Sequence, residues 1–506
     1  MKNMKKAILI LLCLSMLLPS CSEKPEETEQ KENSPAQDAV QTEETAELTE
    51  EERLYLEQQK ALEVLPDCSF DGHTFTILTS NHTHPEWQIW KNRDIDAEEI
   101  TGETINDAVF ERNSWVEDTY DCEITEHKGD VGNDVRTSNR AGDNAYDVAL
   151  PMMSSGMDLA ADGALFNLNL IDGIGLENPW WDQNANESLS ILHKLYFTSG
   201  DMLILNNDST GALVFNKKLV DMWNLENPYE LVKEGKWTFD TLYSQISGLG
   251  QDLNNDGVMN GQDQFGLMLY ADMQHCMYHG AGMDYASKDA EDIPVMTHTT
   301  EQSINVLTRV FEIMNDSNIA YSLHNAYNEG FTDAFDWAEK IFQADRVLYY
   351  WLRLRDVEGM REMESDFGIL PMPKWDEAQD EYRSTVNYYV SCSIAIPLCT
   401  YDAEKTAQFL NILNAKSKYV LQPAYYDITL TGKYARDVES IEMLDIIFGN
   451  RVYDIGMFGN FGNITVDLKE MLIDDNRNFA SKFKGSERLL GKQVEKLVKN
   501  YNKIDY

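Results

Sequence analysis

Cysteine, proline and positive charge are all scarce in this chain. Seven cysteines and thirteen prolines occur in 506 residues, and 42 Lys and Arg stand against 86 Asp and Glu. Two cysteines, Cys13 and Cys21, fall near the N-terminus. The other five (Cys68, Cys122, Cys276, Cys392 and Cys399) are odd in number and form no CxxC pair, which argues against a disulfide framework. The formal charge of −44 argues against nucleic acid, because so acidic a surface repels phosphate and carries no stripe of Lys and Arg. After the first twenty residues no apolar run reaches the roughly 20 residues that span a bilayer, so no part of the body is read as a membrane helix. Catalytic signatures are missing as well: there is no GxSxG, no P-loop and no GxGxxG after a strand. Carboxylates are so abundant that choosing two as a glycosidase acid and nucleophile would be arbitrary, since such a pair is defined by its separation in space.

What is present begins with the first twenty-one residues. Lys2, Lys5 and Lys6 precede an apolar run from Ala7 to Leu18, the length of a signal h-region, and Leu18-Pro19-Ser20-Cys21 closes it. Residues 1–20 are expected to be a cleaved signal peptide. Leu-x-Ser-Cys resembles the lipobox of bacterial lipoproteins, with Pro19 where a small residue is usual. That resemblance implies a diacylglycerol thioether on Cys21, with acyl chains such as palmitate, and a protein held on the extracytoplasmic face of the cell membrane. Two or three such chains anchor stably where one is marginal. From Ser22 to about Arg53 the chain is rich in Glu, Gln, Thr and Ala and poor in large apolar residues, so it cannot bury enough surface to offset its ordering entropy. Residues 21–66 are read as a lipid-anchored, acidic, flexible stalk. Leu54, Tyr55, Leu62 and Leu65 suggest a short amphipathic lead-in helix near its end.

The body, from about Asp67 to Tyr506, is long enough for two or more domains. Its alternation and helical spacings predict strand 73–79, helix 105–120, strand 122–126 and strand 147–151. A βαβαβ order of this kind builds a largely parallel sheet with helices on both faces. Further strands are expected at 194–199, 202–205, 212–215, 347–350, 367–370 and 391–396, and helices at 240–248, 300–315, 333–343 and 403–415. Two α/β lobes fit this succession better than one.

Several short stretches, in this order along the body, together carry a resemblance: Ile105-Asn-Asp-Ala-Val-Phe-Glu-Arg-Asn113, Tyr146-Asp-Val148, Asn178-Pro-Trp-Trp-Asp-Gln183, Val214-Phe-Asn-Lys-Lys218, Asn227-Pro-Tyr-Glu-Leu-Val232, Gly235-Lys-Trp-Thr238 and Phe367-Gly-Ile-Leu-Pro-Met-Pro-Lys374. They resemble family 1 extracellular solute-binding proteins, the sugar receptors of ABC importers, similar in fold to maltose-binding protein. The resemblance implies an α/β, two-lobe periplasmic-binding-protein-like fold with a hinge and an interlobe ligand cleft. By that analogy lobe one is 67–158 with 361–398, and lobe two is 159–360 with 399–506. It also implies a monomer that takes a carbohydrate ligand and meets ABC transporter permease subunits.

The sharpest chemical motif lies at 252–263. Asp252, Asn254, Asp256, Asn260 and Asp263 stand at positions one, three, five, nine and twelve, Gly257 at six allows the sharp turn, and Val258 at seven offers its carbonyl, which is the oxygen set of a calcium EF-hand loop. Asp263 is shorter than the bidentate Glu of an EF-hand, as in the dockerin-type loop. A structural Ca2+ is the expected cofactor. His275 and His279 share one helical face as zinc ligands could, but lack the Glu of HExxH, and satisfied core histidines are the commoner case.

Aromatic residues in polar surroundings supply the ligand-binding candidates, because sugar C–H faces stack on rings while carboxylates and amides take the hydroxyls. They are Trp180 and Trp181, Glu86 and Trp87 beyond the first strand, Asp208, Trp351 after strand 347–350, and Tyr388 before strand 391–396. Taken with the resemblance, these residues point to a surface-anchored, non-enzymatic receptor that captures a carbohydrate, an oligosaccharide by preference, for an ABC importer. The alternatives are a surface-anchored carbohydrate-active enzyme with a calcium-stabilised loop, and an adhesin or sensor that keeps the binding fold.

Overall fold

The computed structural model describes residues 50–82, 90–430 and 438–504. The expected signal peptide, Cys21 and most of the expected stalk lie outside the described residues, and so do Glu86 and Trp87. Helix Glu50–Glu63 leads in, and the unit Tyr55–Tyr506 holds every strand among the described residues. No described helix is long and apolar enough to cross a membrane.

The first sheet has the order Cys122–Gly129, His73–Ser80, Val148–Ala149, all parallel. Strand His73–Ser80 buries Phe75, Ile77 and Leu78, which sets its register: Phe75 lies beside Ile124 and Ile77 beside Val148. Helix Thr104–Tyr120 follows it. Glu103 caps its N-terminus by accepting from the Asn106 N–H, and Asp121, left-handed at φ 54°, ends it and turns the chain into strand Cys122–Gly129. Helix Ala403–Leu430, far longer than the predicted 403–415, packs along Thr104–Tyr120 and sets Phe409 flat on Phe75 with ring centroids 4.0 Å apart.

The second sheet has the order Phe367–Leu370, Gly211–Asn216, Val347–Arg353, Phe265–Leu269, Ala320–Ser322. Gly211–Asn216 runs antiparallel to both neighbours and the remaining pairs are parallel. Gly211 pairs with Arg353 and Leu269 with Ser322. One end of this sheet therefore gathers the start of Gly211–Asn216 and the carboxyl ends of three parallel strands, and in open α/β sheets ligands bind outside such ends.

Around these sheets the chain divides otherwise than 67–158 with 361–398 against 159–360 with 399–506. Phe367–Leu370 is an edge strand of the second sheet, whereas 391–397 forms antiparallel bridges to Ala149, Met152, Leu165 and Thr198 beside the first. Leu165, Thr198 and helix Ala403–Leu430 accordingly belong with the first lobe. The chain crosses between lobes at 206–211 and 386–391, which meet at the Thr210–Val386 bridge. The stretches predicted as strands 194–199 and 391–396 make only isolated bridges, and 202–205 runs into helix Ile204–Asp208. The last has a tertiary partner: the buried carboxylate of Asp94, 111 residues away in the chain, accepts the Leu205 N–H at 3.2 Å in the first turn of that helix, which leads into the crossing.

Candidate functional site

Strand Phe265–Leu269 delivers Tyr270 and Asp272 to the carboxyl end of the second sheet. Tyr270 is half-buried, its ring centroid lies 5.3 Å from that of Phe335, and its hydroxyl accepts from Lys469 Nζ at 3.3 Å. Asp272, also half-buried, accepts from Asn387 Nδ2 at 3.3 Å. Asn387 is held at the crossing by its own N–H, which donates to the Ser209 carbonyl. Strand Val347–Arg353 ends in Arg353, whose guanidinium pairs with Asp356 at 3.0 Å and lies 4.5 Å from the Trp90 ring and 4.6 Å from the Phe335 ring. Tyr388 meets His275 edge-on at 5.6 Å and Tyr389 at 5.7 Å, and Tyr389 is 55% exposed.

Burial pulls His275 down to about 3, so it stays neutral, and its Nδ1 is paired with the Tyr285 hydroxyl at 2.7 Å. Burial pushes the neighbouring Cys276 thiol up to about 12, far from a nucleophilic thiolate. Burial works to lower the Lys469 ammonium, but Tyr270 and Asp272 outweigh it and hold it in its charged form. The group thus sets half-exposed rings beside one carboxylate, one amide and one ammonium.

No protein-family model matches the sequence and no curated protein matches it. Solved structures do match the fold. A sugar transporter protein of Rhizobium etli in an open conformation aligns with a TM-score of 0.53 at 11% identity, over 85% of this chain and 100% of its own. UspC of M. tuberculosis gives 0.52 at 14%, over 83% and 100%. An ABC substrate-binding protein of Listeria monocytogenes in complex with cycloalternan gives 0.51 at 14%, over 84% and 100%. The chain has the two-lobed fold of maltose-binding-protein-like solute-binding proteins.

In this fold the residues named from sequence take different places. Tyr388 stands in the group just described. Glu86 and Trp87 lie outside the described residues; Trp90, just beyond them, reaches Arg353. Trp180 and Trp181 are buried, and their indole N–H groups serve the fold by donating to Asn411 Oδ1 at 2.7 Å and to the Ile174 carbonyl at 3.0 Å. Trp351 sits in the second sheet opposite Leu213 with its N–H toward the Cys276 thiol, also buried. Asp208 is buried where the chain crosses, paired with Arg93 at 3.1 Å. Burial raises it to about 6, more than Arg93 and Arg355 lower it.

Tyr270, Asp272, Phe335, Arg353 and Lys469 were not singled out in the sequence. The apolar stretch Phe265–Leu269 could have marked Tyr270 and Asp272 as a strand end, but Lys469 lies 199 residues from Tyr270 and carries no local signal.

Loop 252–263 turns at Gly257, with φ 82°. Its side chains point inward: Asp252 accepts from the N–H of Asp256 and Gly257 at 3.3 and 2.8 Å, Asp256 from that of Val258, Asn260 from that of Gln262, and the buried Asp263 from those of Leu253 and Asn260. This all-oxygen set suits a hard cation. The carboxylates of Asp252, Asp256 and Asp263 do not converge within 4.8 Å of one another; among the described residues the set that does is His279, Asp284 and Asp454. There Asp454 is already satisfied by His279 Nε2 and by the N–H groups of Tyr285, Gly456 and Met457.

Proposed function

We propose that this protein is a receptor that captures a carbohydrate in its interlobe cleft and delivers it to an ABC importer. The observation that carries this reading is the convergence of Tyr270, Phe335, Tyr388 and Tyr389 with Asp272, Asn387 and Lys469 at the carboxyl end of the second sheet. Rings offer stacking faces and the three polar groups offer hydroxyl partners of both hydrogen-bonding senses. The Listeria neighbour was solved with cycloalternan and the Rhizobium neighbour is described as a sugar transporter, which supports the same ligand class. An oligosaccharide is the preferred size, because the aromatic residues come from three separate places: the end of strand Phe265–Leu269, helix Ala334–Gln343 and the 386–391 crossing. We extend the reading to a monomer anchored through a lipid on Cys21, and to a structural Ca2+ held by Asp252, Asn254, Asp256, the Val258 carbonyl, Asn260 and Asp263, where the ion would fasten the loop ahead of strand Phe265–Leu269.

A glycan array probed with the purified protein tests the central statement. Saturable binding to one saccharide class supports it, and an array blank at every saccharide overturns it.

A further inference from the structure

Residues 92–95 are fixed on the first lobe. Asn92 Nδ2 donates to Asp94 at 3.0 Å, Asp94 accepts the Leu205 N–H, and the Ile95 carbonyl accepts from buried Arg112 and Asn113 at 3.2 and 2.9 Å. From this base two side chains reach the second lobe. Trp90 meets the Arg353 guanidinium, which Asp356 and Phe335 hold in place. Arg93 reaches Glu358 at 2.9 Å as well as Asp208 at 3.1 Å, and Arg355 joins the same pair of carboxylates, at 3.1 Å from Glu358 and 3.8 Å from Asp208. Glu358 lies in the 3-10 segment Leu354–Glu362 that leaves strand Val347–Arg353, so it moves with the second sheet.

None of these contacts needs a solute. Each partner is a side chain of this chain, Arg93 and Glu358 are only 22% and 24% exposed, and partly buried pairs of this kind escape most of the salt screening that makes surface pairs weak. Burial works to lower the Arg93 guanidinium, yet Asp208 and Glu358 outweigh it and hold the charge in place.

We propose that Trp90–Arg353 and Arg93–Glu358 form a clasp that holds the two lobes together in the ligand-free protein. The lobes of this chain then rest closed, and the clasp sets how often the cleft opens to admit a solute. A ligand whose competent state is populated only in part binds with its intrinsic dissociation constant divided by that fraction, so the clasp tunes apparent affinity without touching the ligand. That coupling to capture rests on the binding reading above; the clasp itself does not.

Small-angle scattering of the ligand-free full chain tests it. Glu358→Gln keeps the shape of the side chain and removes the charge shared by Arg93 and Arg355; Phe335→Leu withdraws a ring from Arg353. Both variants are first required to keep the wild-type circular dichroism spectrum, and either one that does suffices. The expected result is a larger radius of gyration for the variant than for wild type in 0.15 M salt. A radius that stays at the wild-type value in a folded variant overturns the clasp. Because no sugar enters the measurement, that outcome leaves the receptor reading standing, and a blank glycan array leaves the clasp standing.

Discussion

Trp180→Ala separates a ring that stacks on sugar from a ring that holds the fold. Trp180 is 1% exposed, its indole N–H donates to Asn411 Oδ1, and its own carbonyl accepts the Asp201 N–H at 2.9 Å. Removing a buried Trp side chain costs about 3–5 kcal/mol through lost transfer energy and the cavity left behind. The amide oxygen it abandons is not orphaned, since Asn178 Nδ2 still donates to it at 3.2 Å, so little is added for an unsatisfied acceptor. Trp180→Phe keeps most of the ring area and loses the N–H, so it should cost about 1–2 kcal/mol. The assay is urea unfolding followed by circular dichroism, with calorimetric titration of a bound saccharide on the folded protein. The expected pattern is a lowered unfolding midpoint, graded Ala below Phe below wild type, and an unchanged saccharide affinity. An unchanged midpoint with lost affinity would refute the burial argument and return Trp180 to the cleft.

Tyr270→Ala and Asp272→Asn should do the reverse, each weakening saccharide binding by about 1–3 kcal/mol with a near-native melting temperature; intact affinity in both would remove them from the site. Burial pushes Asp208 up to about 6 in the folded protein, against about 3.9 when unfolded, so the folded state holds its proton more tightly. Its contribution to stability is therefore present below about pH 4 and lost as pH rises through about 6, and Asp208→Asn should flatten that part of the pH–stability curve; identical slopes would contradict the shift. Saturating Ca2+ should raise the melting temperature and Asp256→Ala should abolish the gain, while equal melting with calcium and with chelator argues against an ion at 252–263.

The fold was more legible than the site. Strand His73–Ser80 and helix Thr104–Tyr120 announce themselves because periodicity and burial coincide along one segment, and Gly211–Asn216 and Phe367–Leu370 do so as short apolar runs. The lobe boundaries were less readable, since nothing local tells whether 391–397 or 367–370 pairs with Ala149. Trp180 and Trp181 misled for a physical reason. Their Asn, Asp and Gln neighbours look like a wet surface, but Asp182 is drawn into the fold by Arg451 at 2.7 Å and Gln183 turns back onto the carbonyls of Leu176 and Trp181. Conversely, Lys469 reaches Tyr270 only because helix Ile464–Ile473 returns to the second lobe, a fact of topology that no window along the chain contains.

The most direct measurement is calorimetric titration of the full chain with a panel of defined oligosaccharides, followed by chromatography of the recovered sugar. A receptor with its cleft at Tyr270 and Asp272 binds one sugar class saturably at one site, loses that binding in Tyr270→Ala, and returns the sugar intact. Shortened sugar in the recovered fraction, or binding that Tyr270→Ala and Asp272→Asn both leave untouched, would contradict it.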